Sequence, residues 1–407
     1  YSAPLIDQGR MTAASLARSH GYATAGFGKW HLGLKLTTTD GGPAKGDGSN
    51  VDFAKPFADG PTSLGFDTYY GISASLDMPP YVYLDDDKYA AVPTTTRTYI
   101  RKGLASEGFE AVDVLPTITT KAVEYIQSRA KAAAGGDDRP FFLYMPLTAP
   151  HTPIAPTPEF AGKSGLNQYG DFVMQVDKTV GQVLDALDKA GMTGNTLVIL
   201  TSDNGCSPQA NFEELEAKGH DPSYVFRGMK ADIFEGGHHI PFIARWPGQI
   251  KPGSTCDQTI CLTDLLATMA EIFGAKLPDN AGEDSVSILP ALQGRAAGPL
   301  REGTVHHSVN GSFSIRKGKW KLELCPGSGG WSPPKPNSKE AKALPPVQLY
   351  DMTADISEKK NLQSEHPDVV AELTKLLQSY VDAGRSTPGK PQKNDREIDI
   401  NSGRHGR

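Results

Sequence analysis

The sequence lacks several features that would assign its 407 residues to a special class of protein. No apolar run approaches the roughly 20 residues that span a bilayer, so we expect no membrane span. The four cysteines show no C-x-x-C spacing, and a chain of this length folds without a disulfide framework. The formal net charge of -6 gives no reason to expect nucleic acid as a partner. With these special classes excluded, the composition is that of an ordinary globular protein.

The cysteines leave two alternatives open. Cys256 and Cys261 lie closest in sequence and are the candidates for a single disulfide. Alternatively these two residues, like Cys206 and Cys325, are unpaired and partly buried thiols. The cysteines therefore do not identify the redox compartment.

Helical and strand patterns alternate along most of the chain. The helices are predicted at 11–20, 116–134, 172–187 and 262–273, and the strands at 22–30, 141–145, 196–201 and 240–246. This alternation predicts an α/β fold with a mostly parallel central sheet flanked by helices. Ligands of such sheets bind beyond the carboxyl ends of the strands. His151 and Asp203 each follow a predicted strand, so we expect them to share one edge of the sheet.

A smaller C-terminal α+β domain is predicted at residues 299–407, after a main domain at residues 1–298. Antiparallel strands are predicted at 304–315 and 320–324, and a helix at 367–383. The polar tail after Ser386 has the composition of a disordered segment.

One short motif carries a cation beside a titratable ring. Lys29 and His31 lie two residues apart at the end of a predicted strand, so both side chains would leave the same face. Lysine is a compact positive donor, and histidine titrates near neutrality. The pair therefore suits binding an oxyanion and moving a proton. The alternative is a solvated lysine beside a structural histidine.

Three further segments carry candidate chemistry. Asp203 and Asn204 offer adjacent carboxylate and amide oxygens, which are hard-cation ligands, although such a run is also typical of a plain turn. His151 lies between two prolines that stiffen its backbone, which suits a proton donor, although a single histidine is usually structural. Lys230 lies near glycines that permit close backbone approach, or it is an ordinary surface lysine.

In their order and separation these motifs resemble the type I sulfatases of the alkaline phosphatase superfamily. The resemblance rests on Gly28–Gly33 (GKWHLG), Pro150-His151, Ser202–Gly205 (SDNG), Arg227–Lys230 (RGMK), Glu235–Gly237 (EGG), Pro241–Gly248 (PFIARWPG) and Leu349–Met352 (LYDM). It implies an alkaline phosphatase-like fold and a sulfuric ester hydrolase that acts on sulfate esters, with sulfated carbohydrates as the expected substrates.

The resemblance also implies roles for individual residues. Asp203 and Asn204 would be two ligands of one calcium ion (Ca2+), with the other ligands upstream of this chain. Lys29 and His31 would contact the nucleophile and the bound sulfate. His151 and Lys230 would contact the sulfate and the leaving oxygen, with His151 as the proton donor.

Two candidates for substrate binding complete the predicted site. Ser75 matches a sulfate-contacting serine of the family. His306 and His307, at the start of the predicted C-terminal domain, could recognise the organic part of the substrate, or they are a plain pair of strand histidines. His238-His239 departs from the family, whose members commonly carry an aliphatic residue and an arginine there.

The implied nucleophile is the hydrate of a formylglycine, made from Cys or Ser in a C/S-x-P-x-R motif by a formylglycine-generating enzyme. The sequence contains no such motif, and it lacks the Asp-Asp pair that the family carries early, after the first strand. Cys206-Ser207-Pro208 is the nearest match to the motif and lacks the continuation. We therefore expect an N-terminally truncated sulfatase that is inactive as this chain alone. The full-length protein is expected to be periplasmic or secreted.

Two other functions fit the same residues. A phosphoester or phosphonate hydrolase of the same superfamily would act on a group of the same tetrahedral shape. A non-catalytic protein that binds sulfated glycans would need no nucleophile. Whether the protein is a sulfatase or a non-catalytic glycan-binding protein, its expected partners are sulfated small molecules or glycans.

Overall fold

A computed structural model describes residues 1–405 of the chain. They form two compact units, Tyr1–Asn195 and Thr196–Arg407. The strands are β1 (Ala23–Lys29), β2 (Thr68–Ile72), β3 (Tyr83–Asp85), β4 (Lys88–Tyr89), β5 (Thr95–Tyr99), β6 (Arg101–Ala105), β7 (Phe141–Tyr144), β8 (Val198–Thr201), β9 (Phe242–Arg245), β10 (Thr304–His307), β11 (Phe313–Lys317), β12 (Trp320–Glu323) and β13 (Gln348–Asp351). The helices are α1 (Ala13–Ser19), α2 (Ala111–Ala134), α3 (Gln168–Lys189), α4 (Phe212–Ala217), α5 (Glu235–His238), α6 (Leu265–Phe273), α7 (Leu289–Leu292), α8 (Lys339–Lys342) and α9 (Pro367–Ala383).

The first unit is built on a five-stranded sheet in the order β4-β3-β2-β1-β7. The central strand β1 runs parallel to both β2 and β7, while β3 and β4 form an antiparallel edge. Helices α1 and α2 contact β1, and α3 packs against α2. The β1 sequence is rich in small residues and buried almost throughout, which allows helices to approach it closely. The predicted α/β fold is confirmed.

Helix α2 begins at Ala111, five residues before the predicted start at Pro116. Proline has no N–H to donate to the carbonyl of Val112, so the helix lacks one backbone hydrogen bond there. Val114 and Leu115, on the turn before the proline, are almost fully buried. The burial of these two side chains stabilises the helix by more than the missing hydrogen bond costs. A prediction that places proline in the first turn of a helix does not take this burial into account.

The second unit contains a two-stranded sheet and a four-stranded antiparallel sheet. Strand β8 pairs antiparallel with β9, so the prediction that residues 196–201 extend the same parallel sheet is wrong. An apolar run indicates a strand but does not specify its partner, and the β8 side chains are only half buried. Strands β10 to β13 follow each other in the larger sheet, with α9 against β11 and β12.

The polar tail differs from the prediction of disorder. Ile400 is 2 % exposed and belongs to the apolar core between the four-stranded sheet and α9, against which Ile398 also packs. These apolar contacts, together with hydrogen bonds such as Gln392 N–H to Ala383 O at 2.8 Å, hold the described part of the tail. The predicted boundary between residues 298 and 299 stays a prediction.

Two further features are the state of the cysteines and the apolar character of the helices. Cys256, Cys261 and Cys325 are free thiols, and Cys325 is buried. None of the helices within residues 1–405 combines the length and apolar character needed to cross a membrane.

Candidate active site

The end of β1 presents the first predicted pair. Lys29 is the last strand residue, and its N–H donates to the carbonyl of Pro146 at 2.7 Å. His31 has a positive φ of 60° and its N–H donates to Ser73 O at 3.0 Å. Strand β1 ends at Lys29, so the strand alternation behind the predicted shared face does not extend to His31. That the two side chains share one face stays a prediction.

The turn at His31 brings it to the predicted serine. Nδ1 of His31 lies 3.3 Å from Oγ of Ser75, which is buried. Ser75 and His31 are 44 residues apart in sequence, and the parallel pairing of β1 with β2 places their chain segments together. The structure thus joins two of the predicted site residues in the first unit.

His151 lies beside a buried carboxylate that the sequence did not single out. Its Nδ1 donates to the carbonyl of Thr152 at 2.9 Å and lies 3.9 Å from Oδ1 of Asp77. Asp77 is 7 % exposed, its Oδ2 is 3.7 Å from Arg101, and within residues 1–405 nothing hydrogen-bonds to its Oδ1. The only sequence signal for Asp77 is its position two residues after Ser75. Because Nδ1 carries the donated proton, any proton exchange by this ring would take place at Nε2.

In the second unit, the segment after β8 meets the glycine-rich α5. Gly205 N–H donates to Gly237 O at 3.0 Å, and a Cβ on Gly205 would lie 1.7 Å from Gly236 O. Only glycine fits this approach. Asp203 and Asn204 immediately precede it, Asp203 exposed and Asn204 partly buried. The close approach fixes the turn from which these two side chains project.

The loop that carries Lys230 lies against the same segment. Lys230 N–H donates to Cys206 O at 2.8 Å, which places its backbone two residues from Asn204 along the partner segment. Ala231 O accepts from Val309 N–H at 2.9 Å, two residues after His307 at the end of β10. Lys230, Asn204 and His307 are thus on segments that hydrogen-bond to one another. Their predicted roles stay predictions.

His238 and His306 are partly buried beside an ion cluster, whereas His239 and His307, the second residue of each pair, are exposed. The His238 and His306 rings lie 4.4 Å apart, and His307 contacts Phe313 edge-on at 4.2 Å. Burial, followed by the charge of Lys321, lowers the pKa of His238 to about 4. Burial and the neighbouring His238 hold the pKa of His306 well below its ordinary value. Both rings of the 238–306 pair are therefore neutral near pH 7.

Lys321 is the centre of the ion cluster. It is fully buried, and its Nζ lies 2.6 Å from Glu358, 3.1 Å from Glu235 and 3.2 Å from Glu323. Burial opposes the charged form of Lys321, but the three carboxylates outweigh it and raise the lysine pKa. Burial raises the pKa of Glu323 well above its usual range, although the charge of Lys321 acts in the opposite direction.

Asp203 and Asn204 offer the kinds of oxygen atom that a hard cation binds, but two residues are too few to complete its coordination shell. Asp203 supplies a carboxylate and Asn204 an amide oxygen, both of which calcium accepts. Across residues 1–405 no cluster of three or more His, Cys, Asp or Glu side chains could hold a metal ion. These two residues can therefore form only part of a calcium shell.

Comparison with known proteins decides the family. The family model for sulfatases matches residues 3–275. The chain belongs to the sulfatase family. The curated N-acetylgalactosamine-6-O-sulfatase of Bacteroides thetaiotaomicron is 32% identical over 421 residues, which cover 92% of this chain and 78% of that sulfatase. Human arylsulfatase A is 30% identical over 399 residues, covering 92% of this chain and 72% of the enzyme.

Solved structures agree with this sulfatase assignment. A structure from work on the metabolism of multiple glycosaminoglycans by Bacteroides thetaiotaomicron has a TM-score of 0.78 and 31% identity, covering 93% of this chain and 84% of that one. A structure in complex with D-glucosamine-2-N,6-O-disulfate has a TM-score of 0.60 at 18% identity, covering 92% and 82%. The second likeness concerns the fold alone. The predicted family and the predicted sulfuric ester hydrolase are confirmed.

Proposed function

We propose that this sulfatase hydrolyses sulfate esters of carbohydrates, and that 6-O-sulfated N-acetylgalactosamine is the first substrate to test. The observation that carries the proposal is the 32% identity over 92% of the chain to an N-acetylgalactosamine-6-O-sulfatase. The hydrogen-bonded arrangement of the Lys230 loop and the segment after Asn204 supports it, because a cation beside oxygen ligands suits an anionic ester.

Each side chain of the proposed site would have its own task in the reaction. Lys230 and Lys29 would stabilise negative charge on the sulfate oxygens and on the leaving oxygen as the bond between sulfur and that oxygen breaks. His151 would deliver a proton from Nε2 to the leaving oxygen, with Nδ1 held by the Thr152 carbonyl. Ser75 and His31, which lie within hydrogen-bonding distance of each other, would contact the sulfate.

A metal and a modified residue complete the proposal. Asp203 and Asn204 would hold one calcium ion, which when bound polarises the sulfate oxygens. The nucleophile would be a formylglycine hydrate supplied from outside these 407 residues, since they contain no C/S-x-P-x-R motif. A formylglycine-generating enzyme would then be the partner that matures the protein, and His307 would contact the sugar.

The test compares ester classes on the full-length protein, co-produced with a formylglycine-generating enzyme. We expect sulfate release from 6-O-sulfated N-acetylgalactosamine, and a fall in kcat/KM of roughly 10²-fold in Lys230→Ala, the size typical of losing one charge-stabilising donor. Lys218→Ala is the matched control, because Lys218 is an exposed lysine of the same unit that pairs with Glu214.

Two outcomes would contradict the proposal. Faster hydrolysis of phosphate than of sulfate esters, dependent on zinc, would identify a phosphoester hydrolase. Binding of sulfated sugars by correctly matured protein without any turnover would identify a glycan-binding protein.

A further inference from the structure

Asp232 is a fully buried carboxylate two residues after Lys230. We propose that Asp232 is a positioning residue that fixes the loop 229–232 and thereby aims Lys230 at the sulfate. The inference rests on the proposed role of Lys230. Asp232 itself would touch neither substrate nor metal.

The Asp232 carboxylate accepts hydrogen bonds from two separate chain segments. Oδ2 accepts from Met229 N–H at 2.9 Å and from the hydroxyl of Ser332. Oδ1 accepts from the N–H groups of Trp331 at 2.7 Å and Ser332 at 3.1 Å. Four donors therefore bind one side chain, and it ties the Lys230 loop to the segment around Trp331.

The backbone around Lys230 is fixed at every residue of the loop. Asp232 N–H donates back to Met229 O at 3.1 Å, Lys230 N–H donates to Cys206 O at 2.8 Å, and Ala231 O accepts from Val309 at 2.9 Å. Ala231 has a positive φ of 81°. A non-glycine residue in that region is strained and persists only where its surroundings enforce it. The Asp232 bonds supply that enforcement directly beside the lysine.

Two neighbouring glycines leave room for the Asp232 carboxylate, because a side chain at either position would clash with it. A Cβ on Gly228 would lie 2.8 Å from Oδ2 of Asp232, and a Cβ on Gly330 would lie 2.5 Å from Oδ1. Asparagine has a similar shape, but its NH2 group would face donors instead of accepting from them. Asp232→Asn therefore loosens the loop with little change in volume.

The test is a double-mutant cycle for sulfatase turnover on the matured full-length protein. Asp232→Asn is expected to lower kcat/KM by roughly 10²-fold, the cost of misplacing a group by about 1 Å. In a Lys230→Ala background the same change should cost less than about 2-fold, because the group it positions is gone. Equal factors in both backgrounds, or no loss in the parent, would overturn the inference.

Two further variants separate positioning from folding. Asp264 is equally buried and accepts from Cys261 and Val286 N–H groups, but it lies outside the Lys230 loop. Asp264→Asn should lower thermal stability, and its effect on kcat/KM should be the same with or without Lys230. If Asp232→Asn does not fold, Ser332→Ala removes a single bond; its smaller loss, about 3-fold, should also vanish without Lys230. Full activity of Lys230→Ala alone would instead refute the proposed role of the lysine, and positioning with it.

Discussion

His151 combines a fixed ring with a nearby buried charge. Its Nδ1 donates to Thr152 O, and Oδ1 of Asp77 lies 3.9 Å away. A ring held by one nitrogen presents the other in a constant direction, which is what a proton donor requires. A histidine that serves only to fill space needs no such fixed ring orientation.

The proton-donor role predicts a dependence on the leaving group. His151→Ala should lower kcat for a sugar sulfate by roughly 10²-fold or more, because a sugar alkoxide leaves poorly without a proton. Hydrolysis of 4-nitrophenyl sulfate, whose phenolate leaves readily, should fall much less. Steady-state rates on both substrates give the comparison. Equal losses on the two esters would show that His151 binds sulfate but does not protonate the leaving oxygen.

The pKa of His238 predicts that the folded protein loses stability in acid. This histidine has a pKa of about 4 in the folded protein, because it is buried and near Lys321, whereas an unfolded histidine titrates near 6.5. The unfolded chain therefore binds the proton first, and stability present above pH 6.5 is lost as the pH falls toward 4, by on the order of 3 kcal/mol. The adjacent His306 acts in the same direction.

The measurement is the thermal midpoint at pH 7 and at pH 4.5. His238→Val should lose less stability between these two values than the parent does, while His220→Val, at an exposed histidine, should behave like the parent. An unchanged acid sensitivity in His238→Val would contradict the assignment.

At the scale of elements, Lys321 on β12 joins the four-stranded sheet to the start of α5. Its Nζ contacts Glu235 at 3.1 Å and donates to Ile233 O at 3.0 Å, just before the glycines that meet Gly205. Glu235 N–H in turn donates to Glu358 at 2.7 Å. The sheet thus supports the element against which the Asp203-Asn204 turn is built.

Lys321→Met is therefore expected to be severe. It leaves buried carboxylates without their cation, which typically costs about 3 to 5 kcal/mol. Lys319→Met is the matched control, because Lys319 is half exposed and pairs with Asp351, and such pairs contribute less than about 1 kcal/mol. Calorimetric midpoints should fall by several degrees for the first and scarcely for the second. Similar midpoints for both would mean that the cluster is not stabilising.

Elements with local signals were predictable from the sequence. Helix α9 matches its predicted range, 367–383, because Pro367 begins it and Gly384, with φ 61°, ends it. The partner of β8 was not predictable, since an apolar run does not encode which strand it meets. The burial of Asp77 and Asp232 was also not predictable, because aspartate is mostly a surface residue and the sequence carries no signal that tertiary structure buries these two. The motif spacing located Asp203, Asn204 and Lys230, but the segments that hold them together are distant in sequence.

At the scale of the whole molecule, the chain divides its predicted site residues between two compact units. Lys29, His31, Ser75 and His151 belong to Tyr1–Asn195, and Asp203, Asn204, Lys230 and His307 belong to Thr196–Arg407. Because the 407 residues contain no C/S-x-P-x-R motif, we expect this chain, produced alone, to bind sulfated sugars weakly and to release no sulfate.

We propose that these residues serve a calcium-dependent sulfatase that acts on carbohydrates. The most direct test is sulfate release from 6-O-sulfated N-acetylgalactosamine by the full-length matured protein, before and after chelation and with Asp203→Ala. We expect sulfate release that chelation abolishes, that calcium restores, and that Asp203→Ala lowers by roughly 10²-fold or more. Sulfate release that is unchanged by chelation and by Asp203→Ala would contradict this proposal.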